Sequence, residues 1–409
     1  MNHFFKVKTL EDVMGMVGRF SAMPTETVTL PQASGRILGQ DIVAHQDLPG
    51  FRRSTMDGYA VQSAATFGAS EANPAWLKVA GTIAMGETPC FSLTSDEAAP
   101  ISTGGMLPDG ADSVVMVEHT EAVDAATVEI YKSVAPLQHV VDSAEDYRQG
   151  QEILKAGTRI RPQESGVLAA LGKTHVTVFK QTTVAIISTG DEIVPVEETP
   201  APGRIRDMNS HTLAGLISEA GAIPLQLGIV KDNRDDLFDA CSRAVAMADM
   251  VLISGGSSVG MRDFTVEVLS DLVDTELLVH GISISPGKPT ILARSGNKPV
   301  WGLPGHVVSA MVVFKVVVLP FLRKRMGENA WASPGALLPA ILTRNVASAQ
   351  GRTDFIRVAI QEKEGHLYAA PVLGKSGLIR TMVMAQGLVE IGENVEGLDK
   401  GAVVNVRCM

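Results

Sequence analysis

Four acidic side chains, one run of glycine and serine, and one lysine carry the chemistry legible from residue types and spacing. Asp191 and Glu192 follow the apolar run TVAIIS, Asp232 follows AIPLQLGIV, and Asp263 stands just beyond SGGSSVG. Carboxylates converging beside backbone N–H donors are what a Mg2+–phosphate site needs, because the ion takes oxygen ligands, keeps several waters and bridges phosphate oxygens. The run Gly255-Gly256-Ser257-Ser258-Val259-Gly260 lets several N–H groups turn toward one anion, reinforced by the start of the following helix. Lys288, held between Pro286-Gly287 and Pro289, supplies a point charge for a phosphate. Taken singly these features have blander readings: a tight turn for the glycines, an N-cap for Asp263, a first-turn acid for Asp232. Together they point to a phosphate-ester or nucleotide-like ligand with Mg2+. No Ser–His–Asp order, HExxH or Walker A pattern is present.

The elements that must position these groups alternate from Thr183 to about Leu322. The runs TVAIIS, AIPLQLGIV, DMVLIS, LLVHGISIS and PVWGLPG read as strands. Between them SHTLAGLISEAG (Ser210 as its N-cap), RDDLFDACSRAVAMA and FTVEVLSDLV read as helices, and VVSAMVVFKVVVL follows the last strand. Unbroken apolar runs suit strands covered on both faces of a mostly parallel sheet. Right-handed crossovers then put every loop just named on one edge, where open α/β sheets bind ligands.

The flanking regions read differently. Residues 9–20 carry apolar positions at helical spacing, with Thr9 as N-cap. Residues 77–131 are short strands separated by turns, and a helix is expected from about Pro162 to Leu171. The last ~80 residues hold ALLPAILTRNV, TDFIRVAIQ, LYAAPV and LVEI, which suggest a small β-barrel or sandwich. Asp57-Gly58 and Thr103-Gly104-Gly105 read locally as turns.

A net charge of −10, with few aromatics, argues against a nucleic-acid footprint. Three scattered cysteines without CxxC spacing argue against a disulfide framework and fit a reducing cytoplasm. The first residues have acids where a signal peptide needs an apolar core. The run Met311–Leu322 contains Lys315 and Pro320 and falls short of the ~20 residues a membrane span requires. A cytoplasmic protein is expected.

The chain resembles the molybdopterin molybdenumtransferases, the MoeA family with the related gephyrin E domain. The residues that carry the resemblance are STMDGYAV (54–61), STGGMLPDGADSVVMVE (102–118), ISTGDEI (187–193), LISGGSSVG (252–260), SPGKP (285–289), GLPG–VSA (302–310) and GRTDFIRV (351–358). The resemblance implies four domains. They are an elongated one from residues 1–46 and 146–180, an inserted β-rich one at 47–145, an α/β molybdopterin-binding one at 181–327, and a C-terminal β-barrel at 328–409.

It also implies a homodimer with the site shared between subunits, and insertion of molybdate into adenylylated molybdopterin with Mg2+-dependent release of AMP. The molybdopterin adenylyltransferase is a candidate partner. Asp57 and Thr103 match substrate-side residues, Asp146 the acid of a GED turn, and Glu192, Asp232 and Asp263 the acidic positions. Lys288 matches a phosphate-side lysine, Ser376 a serine of the C-terminal domain, and Pro304 and Gly305 the loop beside the oxyanion.

The departures are equally specific. Val141 and Asp142 stand where arginines are expected, Ser285 where many members have lysine, and His306-Val307 where the loop usually reads Asn-Pro. Arg52 and Arg53 are candidates to restore the missing charge from another loop. A tungstate-inserting variant and a non-catalytic molybdopterin-binding carrier or scaffold stand as alternatives.

Overall fold

The computed structural model describes residues 7–255, 259–333 and 335–409, with the side chains of 259–263 left undescribed. Its contacts divide into two compact units, one of residues 41–155 and 162–174 and the other of 7–40, 156–161 and 175–409.

The first unit is built on a six-stranded sheet. Its strands are β1 (Gly58–Val61), β2 (Ala75–Val79), β3 (Glu97–Ile101), β4 (Ser113–Met116), β5 (Thr120–Ala122) and β6 (Thr127–Ile130), in the order β4-β1-β3-β2-β6-β5. Only β2 and β3 pair in parallel. Alternate residues of β1 and β3 divide between two apolar clusters: Ala60, Ala99 and Ile101 in one, Val61 and Ala98 in the other. Gly58 opens β1 because a Cβ there would lie 1.8 Å from the Val115 carbonyl oxygen. The expected Asp-Gly turn is therefore a strand entry, set by cross-strand sterics. The helix of this unit runs Pro162–Ala170, close to expectation.

The second unit holds a six-stranded sheet of β7 (Thr183–Thr189), β8 (Ile223–Val230), β9 (Met250–Gly255), β10 (Thr275–His280), β12 (Ile291–Ser295) and β13 (Lys298–Leu303). Their order is β8-β7-β9-β13-β12-β10, and only β12 runs against the others. Burial on both faces explains the unbroken apolar runs. Val184 and Ile186 pack in one cluster with Leu213 and Val308, while Ala185 and Ile187 pack in the other with Leu237 and Ala244. The first face is covered by α1 (Asn209–Glu219) and by α4 (Val307–Val313), which continues through a π turn (Phe314–Val318) into α5 (Leu319–Arg325). The π turn precedes Pro320, whose ring and missing N–H disfavour a regular ladder. The second face carries α2 (Arg234–Met247) and α3 (Val259–Asp271).

Three local expectations need correction. Ser210 is not the N-cap of α1; it lies inside the helix, and its N–H donates to the Asp207 carboxylate at 3.1 Å. The helix expected over 9–20 is a short α-helix, Leu10–Gly15, capped by a Thr9–Asp12 box, followed by a 3-10 turn, Met16–Arg19. The run LLVHGISIS is not one strand. It breaks at Gly281, and β11 (Ile284–Ser285) leaves the sheet to pair with the C-terminal region.

That region is a closed barrel of five strands: β14 (Leu337–Leu342), β15 (Thr353–Lys363), β16 (His366–Pro371), β17 (Gly387–Ile391) and β18 (Val403–Cys408). The ring runs β15-β16-β14-β18-β17 and returns to β15. Its interior is aliphatic, with Val358, Ala369, Val389 and Val406 fully or nearly fully buried. Trp301 stacks edge-on against Phe321 at 4.9 Å, and Phe321 in turn against Phe20 at 5.6 Å, so the N-terminal segment is tied into the same core.

Candidate functional site

Parallel strands β7, β8, β9 and β13 deliver their C-terminal loops to one edge. Two of the acids meet there. Thr189 Oγ1 donates to Asp232 Oδ1 at 2.6 Å, and the Asp232 N–H donates to Asp191 Oδ1 at 3.2 Å. Asp232 Oδ2 and the exposed Glu192 carboxylate have no hydrogen-bond partner among the described residues. Hard oxygen donors with spare lone pairs are the type Mg2+ takes, since it needs only one or two carboxylates and completes its shell with water and phosphate. Among the described residues no three acids or histidines are gathered tightly enough to hold an ion alone. The Asp263 carboxylate and the residues Gly256, Ser257 and Ser258 lie outside the described residues, and Gly260 follows Val259 in the first turn of α3.

Gly255, at the end of β9, is dictated by space. Its φ is +134°, and a Cβ would stand 2.0 Å from the Thr189 carbonyl oxygen. Two loops of the edge are held together by Asn209, a residue that sequence patterns did not single out. Its Nδ2 donates to Ser254 Oγ at 2.7 Å and to the Gly305 carbonyl at 2.8 Å. The available signal was an asparagine opening an apolar helix, which is too common to be specific.

Lys288, Pro304 and Ser376 line one cavity of about 960 Å3, between the SPGKP loop, the start of α4 and the barrel. Ser376 Oγ lies 2.9 Å from His306 Nδ1, and the Val308 N–H donates to the Ser376 carbonyl at 3.1 Å. The barrel adds two arginines to which the sequence reading gave no role. Arg352 pairs with the buried Asp354 at 3.0 Å. Arg357 is held by the Thr381 hydroxyl at 3.1 Å and the Gly374 carbonyl at 3.0 Å. Burial holds the Arg357 guanidinium below the ordinary arginine pKa, yet arginine remains cationic. Lys288, Arg357 and the hydroxyls lining this cavity can bind a compact multivalent oxyanion by charge-assisted hydrogen bonds.

In the other unit, Asp57 and Thr103 form a single polar cluster. The Asp57 carboxylate accepts from the Thr103 N–H at 2.7 Å and from its Oγ1 at 3.1 Å. Those two donors hold the Asp57 pKa below the usual carboxylate value. Asp146 is exposed beside a groove of about 560 Å3 that also takes in Asp142, Glu145 and Arg148. Its N–H donates to the Leu48 carbonyl at 3.0 Å. Of the two arginines considered for the missing charge, Arg52 pairs with Asp142 at 2.7 Å. The acid that replaces an expected arginine thus spends the charge of its substitute. Arg53 pairs through its backbone with Val141, and its guanidinium has no partner among the described residues.

The fold and this edge define an α/β domain with an acid-bearing loop edge, joined to a closed β-barrel. The chain matches the MoeA N-terminal region (domain I and II) over residues 7–172, a probable molybdopterin binding domain over 185–324, and the MoeA C-terminal region (domain IV) over 339–407. It is 34% identical to molybdopterin molybdenumtransferase 2 of Mycobacterium tuberculosis, covering 93% of this chain and 94% of that one. It is 33% identical to the molybdopterin molybdenumtransferase of Haemophilus influenzae, covering 91% and 93%. A crystal structure of a molybdopterin biosynthesis MoeA protein from Pyrococcus horikoshii superposes with a TM-score of 0.80 at 39% identity, covering 98% and 99%. The chain belongs to the MoeA family of molybdopterin molybdenumtransferases.

Proposed function

We propose that this protein is a molybdenumtransferase of molybdenum cofactor biosynthesis that inserts molybdate into adenylylated molybdopterin, with Mg2+-dependent release of AMP. One observation carries the reading. A single compact unit holds both an acid-bearing loop edge and a cavity furnished with Lys288, Arg357 and Ser376. The first suits a metal-bridged pyrophosphate, and the second suits a tetrahedral dianion.

In this reading Glu192, Asp232 and Asp263 hold Mg2+, which when bound supplies charge neutralisation on the pyrophosphate. Backbone N–H groups of the loop from Gly255 to Gly260 hold the phosphates, and Lys288 carries a positive charge to them. Pro304 and Gly305 keep the loop beside the oxyanion rigid, while Asn209 ties Gly305 to the end of β9. Ser376 and Arg357 hold molybdate where the dithiolene sulfurs can reach it. Asp57, ionised and oriented by Thr103, together with Asp146, forms the substrate-side wall, contributed in a homodimer by the second subunit. The four-domain division expected from the sequence belongs to the same proposal.

The enzyme that adenylylates molybdopterin is the natural partner, since its product is this substrate, and both would work in the cytoplasm. Among the described residues no helix is long and apolar enough to cross a membrane. The test is AMP release from adenylylated molybdopterin in the presence of Mg2+ and either molybdate or tungstate. Release that depends on the oxyanion supports the proposal. Tight binding without release identifies a carrier instead.

A further inference from the structure

We propose that His306 is a binding residue of the oxyanion cavity, donating to the bound anion from Nε2 and, when protonated, making its affinity pH-dependent. This rests on reading the cavity beside Lys288 as the oxyanion site.

His306 is exposed at the start of α4 and lines the cavity with Lys288, Arg357 and Ser376. Its Nδ1 lies 2.9 Å from Ser376 Oγ, and Nε2 has no hydrogen-bond partner among the described residues. The ring is thus fixed by one nitrogen and free at the other. In the neutral tautomer that carries its proton on Nε2, the Ser376 hydroxyl donates to Nδ1 and Nε2–H faces outward as the ring's one donor. In the imidazolium, Nδ1–H donates instead, and the Ser376 hydroxyl proton is released to turn toward the cavity. From that tautomer, one protonation adds a unit of charge and frees a second donor, both within the cavity lining.

The surroundings allow that charge to be used by a ligand. Lys288, Arg352, Asp354 and Arg357 line the same cavity, and Lys375 flanks Ser376 in the chain. Asp354, the acid among them, is already engaged by Arg352 at 3.0 Å and by Ser348 Oγ at 2.7 Å. No acid lies in the first turn of α4. The imidazolium therefore finds no spare carboxylate among these groups and is neutralised by the bound anion. An anion beside an imidazole favours its charged form, so binding takes up a proton and strengthens as pH falls. Permanent cations cannot confer such a dependence.

The experiment is calorimetric titration of the purified full-length chain with sodium molybdate, then sodium tungstate. It covers about pH 5 to 8, the interval over which an ordinary histidine loses its charge. The wild-type affinity is expected to fall about tenfold across that range, the scale of one charge-assisted hydrogen bond. His306→Gln, which keeps a hydrogen-bonding side chain but cannot become cationic, is expected to bind at the high-pH level throughout. Lys288→Ala should bind more weakly at every pH while keeping the fall. Protonation of the oxyanion itself affects all three proteins alike. A His306→Gln profile that parallels the wild type overturns the assignment. Absence of binding by the wild type at every pH removes the oxyanion cavity itself, and the inference with it.

Discussion

His306 Nδ1 and Ser376 Oγ meet at 2.9 Å although they stand 70 residues apart, one opening α4 and the other in the loop that follows β16. With the Val308 N–H on the Ser376 carbonyl, this contact fastens the barrel loop to the first turn of the helix. The cavity wall therefore has its geometry set by two elements that sequence places far apart.

Ser376→Ala should weaken oxyanion binding while leaving the fold intact. The hydroxyl is half-buried and makes one side-chain bond, so the expected loss is about 1 kcal/mol, roughly fivefold in affinity. The measurement is the molybdate concentration giving half-maximal AMP release, with unfolding midpoints recorded in parallel. An unchanged half-maximal concentration would remove Ser376 from the site.

Gly255→Ala and Gly58→Ala should both be strongly destabilising, for different reasons. At Gly255 a positive φ adds to a backbone clash, whereas at Gly58 the clash with Val115 acts alone. A loss of about 3 kcal/mol or more is expected at Gly255, measured by denaturant unfolding. A loss within about 0.5 kcal/mol, the size of an ordinary surface change, would contradict the close approach of β9 to the Thr189 carbonyl.

Asp57 should titrate below the usual carboxylate range. Its depressed pKa means that its contribution to stability is present above the unfolded-state value of 3.8 and is lost as pH falls through the folded value. Thr103→Val removes the Oγ1 donor but keeps the stronger backbone donor. The Asp57 pKa should therefore rise only part of the way toward 3.8. Carboxyl-resolved NMR titration reads this directly. No movement on Thr103→Val would mean that the hydroxyl bond is not formed in solution.

Asp142→Asn should release Arg52. The pair is half-exposed, so freeing the guanidinium should strengthen binding of the anionic pterin substrate only modestly, by about two- to threefold at low salt. The gain should vanish at high ionic strength. Equilibrium binding at two salt concentrations tests it, and a gain that persists in high salt would point to a cause other than the freed charge.

Much of the α/β region was legible because its central strands β7, β9 and β13 are buried on both faces, so each reads as an apolar run closed by small residues. The barrel was legible in four of its five strands. The fifth, Val403–Cys408, alternates buried Val404 and Val406 with the polar or exposed Val403, Asn405 and Arg407, and its polar Asn405, Arg407 and Cys408 break the apolar run that marks the other strands. What escaped was tertiary. The break at Gly281 arises because β11 finds its partner in β15, far along the chain. Asp207 caps α1 from outside the helix pattern, and Arg357 enters the cavity from a strand whose register only the closed barrel fixes. Local pattern carries no information about such partners. The pairing of Arg52 with Asp142 was likewise invisible to spacing, since the two stand 90 residues apart.

The most direct test of the account is oxyanion-triggered AMP release. Purified protein charged with adenylylated molybdopterin and Mg2+ should retain the nucleotide, then release AMP when molybdate is added. Asp232→Asn should need more Mg2+ to do so, since it removes a negative charge from the metal's hard-oxygen ligands. AMP release that is indifferent to added oxyanion, or none in its presence, would contradict the assignment of the Lys288–Ser376 cavity and the acidic edge to one molybdenum-inserting site.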